Sequence, residues 1–525
     1  MTAWTTKLPT SNAVAAARAL HDALAELNHW RTDHGTRFAI LEQLRPFVLG
    51  ACAAVARHRS ATPLLLDDRA RSVAALAQRT QHQLATGYRI VVVTALRAGI
   101  PLEPATPDDS PTRTVVIAIH RAMTELLHTL LRSLQFHTPP PAALWAQLHT
   151  LYALAELRRV QDEPVRDALQ ALLWQTVPAD VYKRAVLLAT AQPNKLRSSE
   201  LGELFKALES WTGQVAVVPF DALEQPVMVV DLESDRPPRA TQLSAVARGN
   251  DLRTLDTRRL VRKFEEYLAA APGKGPSELG GVDRERRELI RHCAHVWGAR
   301  TDRAYERTPA SGSVEVCTTL EHVHFHAGGG RSLLRQLQSQ RLGAQDPAEA
   351  EILDPFAGAA DLGGVRTADS APVPRRHLSS EVESQADHPL ASLELTDRSP
   401  LGFGLICAGE APGDVQAGQL LALREADDPD WRITVVRWVA NGRDRSRLGV
   451  ETLAQRALSG GARLISSRGR VLDFKPALLL PGVEALDQPP SLITAPGVFQ
   501  TGQKLAFTQG GRERKLLVEE RIVAS

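Results

Sequence analysis

"ELTDRSPLGFGLICAGEAPGDVQAGQ", residues 394–419, decides how the rest of the chain is read. Asp397, Ser399 and Gly402 stand at the spacing D-x-S-x-x-G, and alternating apolar residues follow. Taken alone, this is a strand-opening turn. Two polar side chains accept and donate hydrogen bonds there, and a glycine leaves the backbone bare enough for a ligand to approach. An ordinary turn and the floor of a nucleotide site both fit that description, so the surrounding sequence has to separate them.

Outward from the turn, the pattern is β throughout. "LASLELTD" precedes it; "GFGLICAG", "GQLLALRE", "WRITVVRWVA" and "RLGVETLA" follow, separated by a Gly/Pro turn, the acidic turn "ADDPD" and the turn "NGRDRS". Short strands divided by such turns are the signature of a small antiparallel barrel. Upstream, "ARTDRAYERTPASGSVEVCTTL" places Arg303 and Arg307 ahead of a Pro-containing turn and a strand-like run from Ser313. The R-x-x-x-R spacing recurs at Arg258/Arg262, Arg287/Arg291, Arg331/Arg335 and Arg443/Arg447. Only the 303/307 pair directly precedes a strand able to open the barrel.

The order of these elements closely resembles PilZ domains, the bacterial receptors for cyclic di-GMP. The resemblance covers roughly residues 300–460. It implies that Arg303 and Arg307 wrap the ligand's phosphates and guanine edges, while Asp397, Ser399 and Gly402 form the surface on which guanine rests. The chemistry agrees independently, because a cyclic dinucleotide carries two phosphates and two guanines and arginine pairs bidentately with both. Each such contact contributes about 1–3 kcal/mol. Two features depart from compact members. The interval 308–396 is several times longer, so the insertion must loop out, and Asp302 rather than an arginine immediately precedes Arg303.

With 525 residues the chain is long enough for two to four domains. The reading is a multi-domain α+β protein: a helical domain over 1–212, built as an all-α bundle or irregular solenoid, a small mixed module with a linker helix over 213–298, a PilZ-like antiparallel β-barrel over 299–484, and a C-terminal β-hairpin extension over 485–525. In the first domain, Ser11 or Asn12 caps a helix that places Val14, Ala17, Leu20, Leu24 and Leu27 on one face. Further helices are expected within 37–58, 71–96, 115–135, 142–160, 167–177, 182–192 and 198–211. "QVAVVPFDALEQPVMVVDL" holds two short strands, and helical spacing returns before and after the break "APGKGPSELGG". The insertion at about 328–376 reads as one short helix and much loop, a composition that need not form a core. "TQGGRER" near the C-terminus marks a hairpin turn.

Composition bounds the function. A net charge of +2 argues against a protein that coats nucleic-acid polymers, and only 9 of the 62 basic residues are lysine. Cys52, Cys293, Cys317 and Cys407 are far apart, which fits a reducing compartment and neither a zinc ribbon nor a disulfide framework. The N-terminal stretch does not read as a signal peptide, and no uninterrupted apolar run reaches the roughly 18 residues of a membrane helix. The expected location is therefore cytoplasmic, without membrane insertion.

Two motifs are decoys. "APGKGPS" around Lys274 lacks the first glycine of a phosphate loop and a preceding strand. "EHVHFHAGGG" puts His322, His324 and His326 at period two, hence on one strand face, but same-face neighbours ~7 Å apart are too far for three in a row to share one metal. No nucleophile-plus-base signature is present, so no catalytic residue, metal or cofactor is assigned. The function expected is a cyclic di-GMP receptor or adaptor that couples ligand binding at the barrel to rearrangement of, or protein-partner binding by, the helical domain, with homodimerisation as a possibility. The competing reading is a nucleotide-independent scaffold with a degenerate barrel.

Overall fold

The structure is a computed structural model that describes residues 2–9, 11–57, 68–103, 107, 110–170, 173–220, 228–239, 251–270, 284–298, 307–341, 387–408, 415–426, 428–442, 445–465, 473–482 and 489–520. The chain divides into two compact units, Met1–Ala304 with Trp438–Ser446, and Tyr305–Arg437 with Arg447–Ser525.

The first unit carries helices α1 (Thr2–Thr5), α2 (Ala13–His29), α3 (His34–Arg57), α4 (Asp68–Arg97), α5 (Pro111–Gln135), α6 (Leu144–Leu157), α7 (Pro178–Thr190), α8 (Ser198–Trp211), α9 (Arg258–Ala269) and α10 (Arg284–Gly298). Its strands are β1 (Val165–Arg166) and β2 (Gln175–Thr176), which pair antiparallel, and β3 (Ala216–Pro219), β4 (Val229–Asp231) and β5 (Leu252–Asp256), ordered β3-β5-β4. Asn12 is the N-cap of α2, its side chain accepting the Ala15 N–H, and Ala17, Leu20, Leu24 and Leu27 are buried as the spacing requires. One apolar core runs from Leu8 through α2–α8 to Trp297, so the mixed middle segment shares the core of the helices. Trp211, Phe264 and Trp297 join the two parts, with ring centroids 4.8 to 6.4 Å apart.

Helix α5 is central, and it also carries the unit's buried charge. It is long and apolar enough to cross a membrane by length and composition, as is most of α3, yet 83% of its apolar window is buried inside the protein. Its inner face holds Arg121 and Glu125, both partnered. Arg45 of α3 donates Nε to Glu125 (2.7 Å) and both terminal nitrogens to Asp167 (2.8 and 2.7 Å), and Arg121 adds a second cation 3.1 Å from Asp167. Buried charges survive only when paired in this way. Burial alone would raise the Asp167 carboxyl; bonds and charge from Arg45, with Arg121 behind, hold it well below the usual carboxylate range.

This network overturns one expectation. Residues 167–177 read as helical, but the described part is the β1–β2 hairpin, with Leu169, Leu173 and Trp174 exposed. Apolar periodicity favours a helix there. Tertiary contacts win: Asp167 is captured by two arginines, and His120 bonds the Thr176 hydroxyl (2.8 Å).

The second unit, with the Trp438–Ser446 stretch counted in the first, carries β6 (Thr308–Pro309), β7 (Ser313–Thr318), α11 (Leu320–Ala327), α12 (Leu333–Arg341), β8 (Ala391–Ser399), β9 (Gly402–Cys407), β10 (Leu420–Glu425), β11 (Arg432–Asn441), β12 (Ser446–Ala454), β13 (Leu458–Leu464), β14 (Lys475–Leu480), β15 (Ser491–Thr494), β16 (Lys504–Gln509) and β17 (Arg512–Leu517). Strand order is β6-β8-β7-β10-β11-β12-β9, and β9 returns to pair with β8. Six antiparallel strands thus close a barrel, with β6 as a short flap on β8. Val316, Leu393, Leu395, Leu405, Leu421, Leu423, Ile433 and Val450 are buried.

A second sheet, β15-β14-β13-β16-β17, follows. Strands β13 and β14, which the sequence reading grouped with the first barrel, belong here, so the C-terminal element is five strands and not a lone hairpin. The β16–β17 turn is Gly510–Gly511 with φ of +51° and +79°, the left-handed pair that a tight hairpin needs. Of the insertion, α12 is its short helix; residues 342–376 lie outside the described residues, as does Lys274.

The histidine run is also corrected: His322, His324 and His326 sit on helix α11. Period two misleads because the run is short and capped by Thr319, whose hydroxyl accepts the His322 N–H. His324 donates to the Gly460 carbonyl (2.9 Å) and His326 to the His388 carbonyl (3.0 Å), tying α11 between the barrel and the second sheet. Burial pushes both imidazoles down, against the opposing pull of those carbonyl bonds.

Two outcomes follow. Asp167→Ala leaves Arg45 and Arg121 buried with fewer partners and should cost about 3–5 kcal/mol in urea unfolding. Because the folded pKa of His324 and His326 lies below the unfolded value, the unfolded chain binds more protons between the two. Their stabilisation is complete above about pH 6.5 and falls as pH drops below it. The urea midpoint followed from pH 7.5 to 5.5 should decline, and decline less in His324→Gln, which keeps an N–H for Gly460.

Candidate functional site

Strand β8 must serve two faces. Leu393 and Leu395 point into the barrel, and strict alternation would send Asp397 and Ser399 after them. The registers show otherwise: Leu395 opposes Leu405, but Asp397 opposes Gly404, so Thr396 is an extra residue in a β-bulge. The bulge shifts parity by one. Asp397 and Ser399 therefore lie on the face opposite Leu395 and Leu405, half-buried at the barrel's outside.

The same bulge holds the segment that carries Arg307. The Thr396 carbonyl accepts the Ala310 N–H (3.0 Å), and the Gly312 carbonyl accepts the Leu395 N–H (2.9 Å). Strand β6 then pairs Thr308 with Arg398 and Pro309 with Asp397. Arg307, one residue before β6, shares the face of Pro309 by the two-residue period. Its Nη1 donates to Asp397 Oδ1 at 2.5 Å, closing a pair between residues 90 positions apart. The side chains are 31% and 23% exposed, so the guanidinium is held but reachable.

On the other side of β8, Ser399 opposes Gly402 across the tight β8–β9 turn, and its hydroxyl donates to the Gly402 carbonyl (3.4 Å). A side chain at Gly402 would collide with the Val450 carbonyl of β12. The glycine is thus required by the close approach of a neighbouring strand. Thr396 Oγ1 donates to Asp397 Oδ2 (3.3 Å). Arg398, on the barrel-facing side, reaches Glu425 (3.0 Å), which also holds Arg432 (2.6 Å).

The structure therefore brings together Arg307, Asp397, Ser399 and Gly402. Arg303 lies outside the described residues. Sequence reasoning missed the Thr396 bulge, the Thr308–Pro309 flap and Gly404. The signal for Gly404 was present in "GFG", where glycines two apart must share one strand face.

A closed six-stranded barrel, with an arginine from the preceding segment laid over a D-x-S-x-x-G turn, is the arrangement of a PilZ-domain protein. Three family models match in succession: the N-terminal domain of the cyclic-di-GMP receptor FimW over residues 1–221, its middle PilZ domain over 227–458, and its C-terminal beta-barrel domain over 460–525. The last junction falls between β12 and the body of the second sheet. Across its length the chain is 29% identical over 539 residues to the cyclic-di-GMP receptor FimW of Pseudomonas aeruginosa, covering 99% of this chain and 87% of that one. The chain belongs to this family of FimW-type, PilZ-containing receptors. No solved structure matches.

The Arg307–Asp397 pair is partly exposed, and such pairs contribute at most about 1 kcal/mol. Asp397→Ala and Arg307→Ala should therefore leave the thermal unfolding midpoint within about 2–4 °C of wild type, measured by circular dichroism.

Proposed function

We propose that this chain is a cytoplasmic receptor and adaptor for cyclic di-GMP, with its site on the outer face of the barrel around Arg307, Asp397, Ser399 and Gly402, completed by Arg303. The observation that carries the reading is the Arg307–Asp397 contact, which joins the R-x-x-x-R segment to the D-x-S-x-x-G turn across the long insertion. Names carried by its relatives point the same way.

The groups have complementary jobs. A guanidinium offers five N–H donors in a fixed fork, and the Asp397 bond uses one. The remaining geometry suits a phosphate or the O6/N7 edge of guanine. The Asp397 carboxylate, an acceptor only, suits the N–H edge of guanine. Two arginines offset the ligand's two negative charges beside that carboxylate. No step in this scheme makes or breaks a covalent bond, so the protein acts as a receptor and needs no cofactor.

A switch follows from position in the chain. Along the chain the first unit gives way to the second between Ala304 and Tyr305, between the two arginines of the motif. Ligand that holds both arginines links the units, and it shifts their arrangement if it binds one arrangement better than another. Readout is through a protein partner of the helical unit, or through a second copy. The exposed Leu169, Leu173 and Trp174, with Arg166 5.5 Å from the Trp174 ring, support that reading.

Calorimetry with cyclic di-GMP should show saturable binding to the wild type and at least about tenfold weaker binding to Arg307→Ala and to Asp397→Ala, the loss that removing one contact of ~1.4 kcal/mol brings. GTP at the same concentration should leave the melting temperature unmoved. Equal binding by wild type and Arg307→Ala, or binding by neither, removes the proposal in favour of a nucleotide-independent scaffold.

A further inference from the structure

We infer that Gly404, which lies outside the D-x-S-x-x-G motif, is a positioning residue for the site: its missing side chain is the space in which the Asp397 carboxylate lies, and that placement brings the carboxylate to Arg307. The inference rests on the nucleotide reading above for its affinity readout only.

Three observations carry it. Gly404 is the cross-strand partner of Asp397, on the face that the Thr396 bulge creates. A Cβ on Gly404 would come within 2.7 Å of the Asp397 Cγ and Oδ1, and closer still to Oδ2. These are atoms of the functional carboxylate and not of the barrel wall. Third, Gly404 has no left-handed backbone: the glycines with positive φ among the described residues do not include it. The chain conformation would accept alanine at 404, so the glycine answers to the space above it and to nothing in the backbone. Gly402 differs, because what excludes a side chain there is the Val450 backbone, which cannot give way.

A methyl group at 404 must push the carboxylate aside. Asp397 is held from above by Arg307 and from the side by the Thr396 hydroxyl, so any displacement lengthens one of those bonds. Hydrogen bonds weaken steeply as distance and angle depart from their optimum. The effect of Gly404→Ala therefore passes through Asp397.

A double-mutant cycle reads this out. Wild type, Gly404→Ala, Asp397→Ala and the double variant, each checked for a native circular-dichroism spectrum, are titrated with cyclic di-GMP by calorimetry. Gly404→Ala alone should weaken binding about tenfold, close to the loss from Asp397→Ala, while adding less than about twofold in the Asp397→Ala background. A structural role would instead add its full loss in both backgrounds, and that result overturns the inference, as does wild-type affinity in Gly404→Ala.

A second cycle needs no ligand. The coupling between Arg307→Ala and Asp397→Ala in thermal unfolding should be measurable in the Gly404 protein and vanish in the Gly404→Ala protein. If the wild type binds no cyclic di-GMP, the functional reading falls while this cycle still decides the role of Gly404: persistence of the coupling in Gly404→Ala overturns it. Should Gly404→Ala fail to fold, the double variant with Asp397→Ala, in which the obstructing carboxylate is gone, is expected to recover a native spectrum. Failure to recover overturns the inference as well.

Discussion

The bulge at Thr396 is the constraint on which the second unit depends. Strand β8 is the seam of the barrel, pairing with β7 on one edge and β9 on the other. Its first half must bury Leu393 and Leu395, and its second half must present Asp397 and Ser399 outward. A regular strand cannot do both with residues of one parity. One extra residue solves it, and the carbonyl of that same residue receives Ala310, which docks the segment following Arg307. Barrel closure and the meeting of Arg307 with Asp397 thus depend on one register, and a slip at β8 would undo both.

The helical unit answers a different constraint. Its core holds ions that hydrophobic burial alone would expel, and they persist because each is bonded in pairs or triplets. Asp167 takes three arginine donors from α3 and α5, and Arg184 of α7 reaches Glu209 of α8 (3.3 Å). The alternative pairings leave a charge buried and unpaired.

Legibility tracked how local the governing force was. Strands β8–β12 were readable because turns punctuate them and each has a period set by its own pleat. The α2 face was readable for the same reason, and the structure adds only that Asn12, rather than Ser11, supplies the cap. Residues 167–177 were misread because distant partners govern them, and the histidine run because it is short, capped by Thr319 and held by distant partners. Asp167 is fixed by Arg45, 122 positions away, and His324 by Gly460, 136 positions away. The boundary after β12 was misplaced because β13 and β14 look like any other strands, and only pairing with β16 assigns them to the second sheet.

By itself the sequence determined an α-then-β protein and a series of barrel strands along the chain, and it pointed to Arg303, Arg307, Asp397, Ser399 and Gly402 as motif residues. The elements follow from periodicity and turn chemistry, which act over a few residues; the motif residues follow from the resemblance to PilZ domains. Tertiary structure alone decided which face the motif occupies and what sits beneath it. Asp397 shares parity with Leu395, so no pattern in the chain can send it outward; the bulge does, because β8 must satisfy β6 and β9 at once. For Gly404 the spacing in "GFG" gives the shared strand face and no more. Its meaning is a volume, filled by a side chain from another strand, and a volume exists only once the strands are paired.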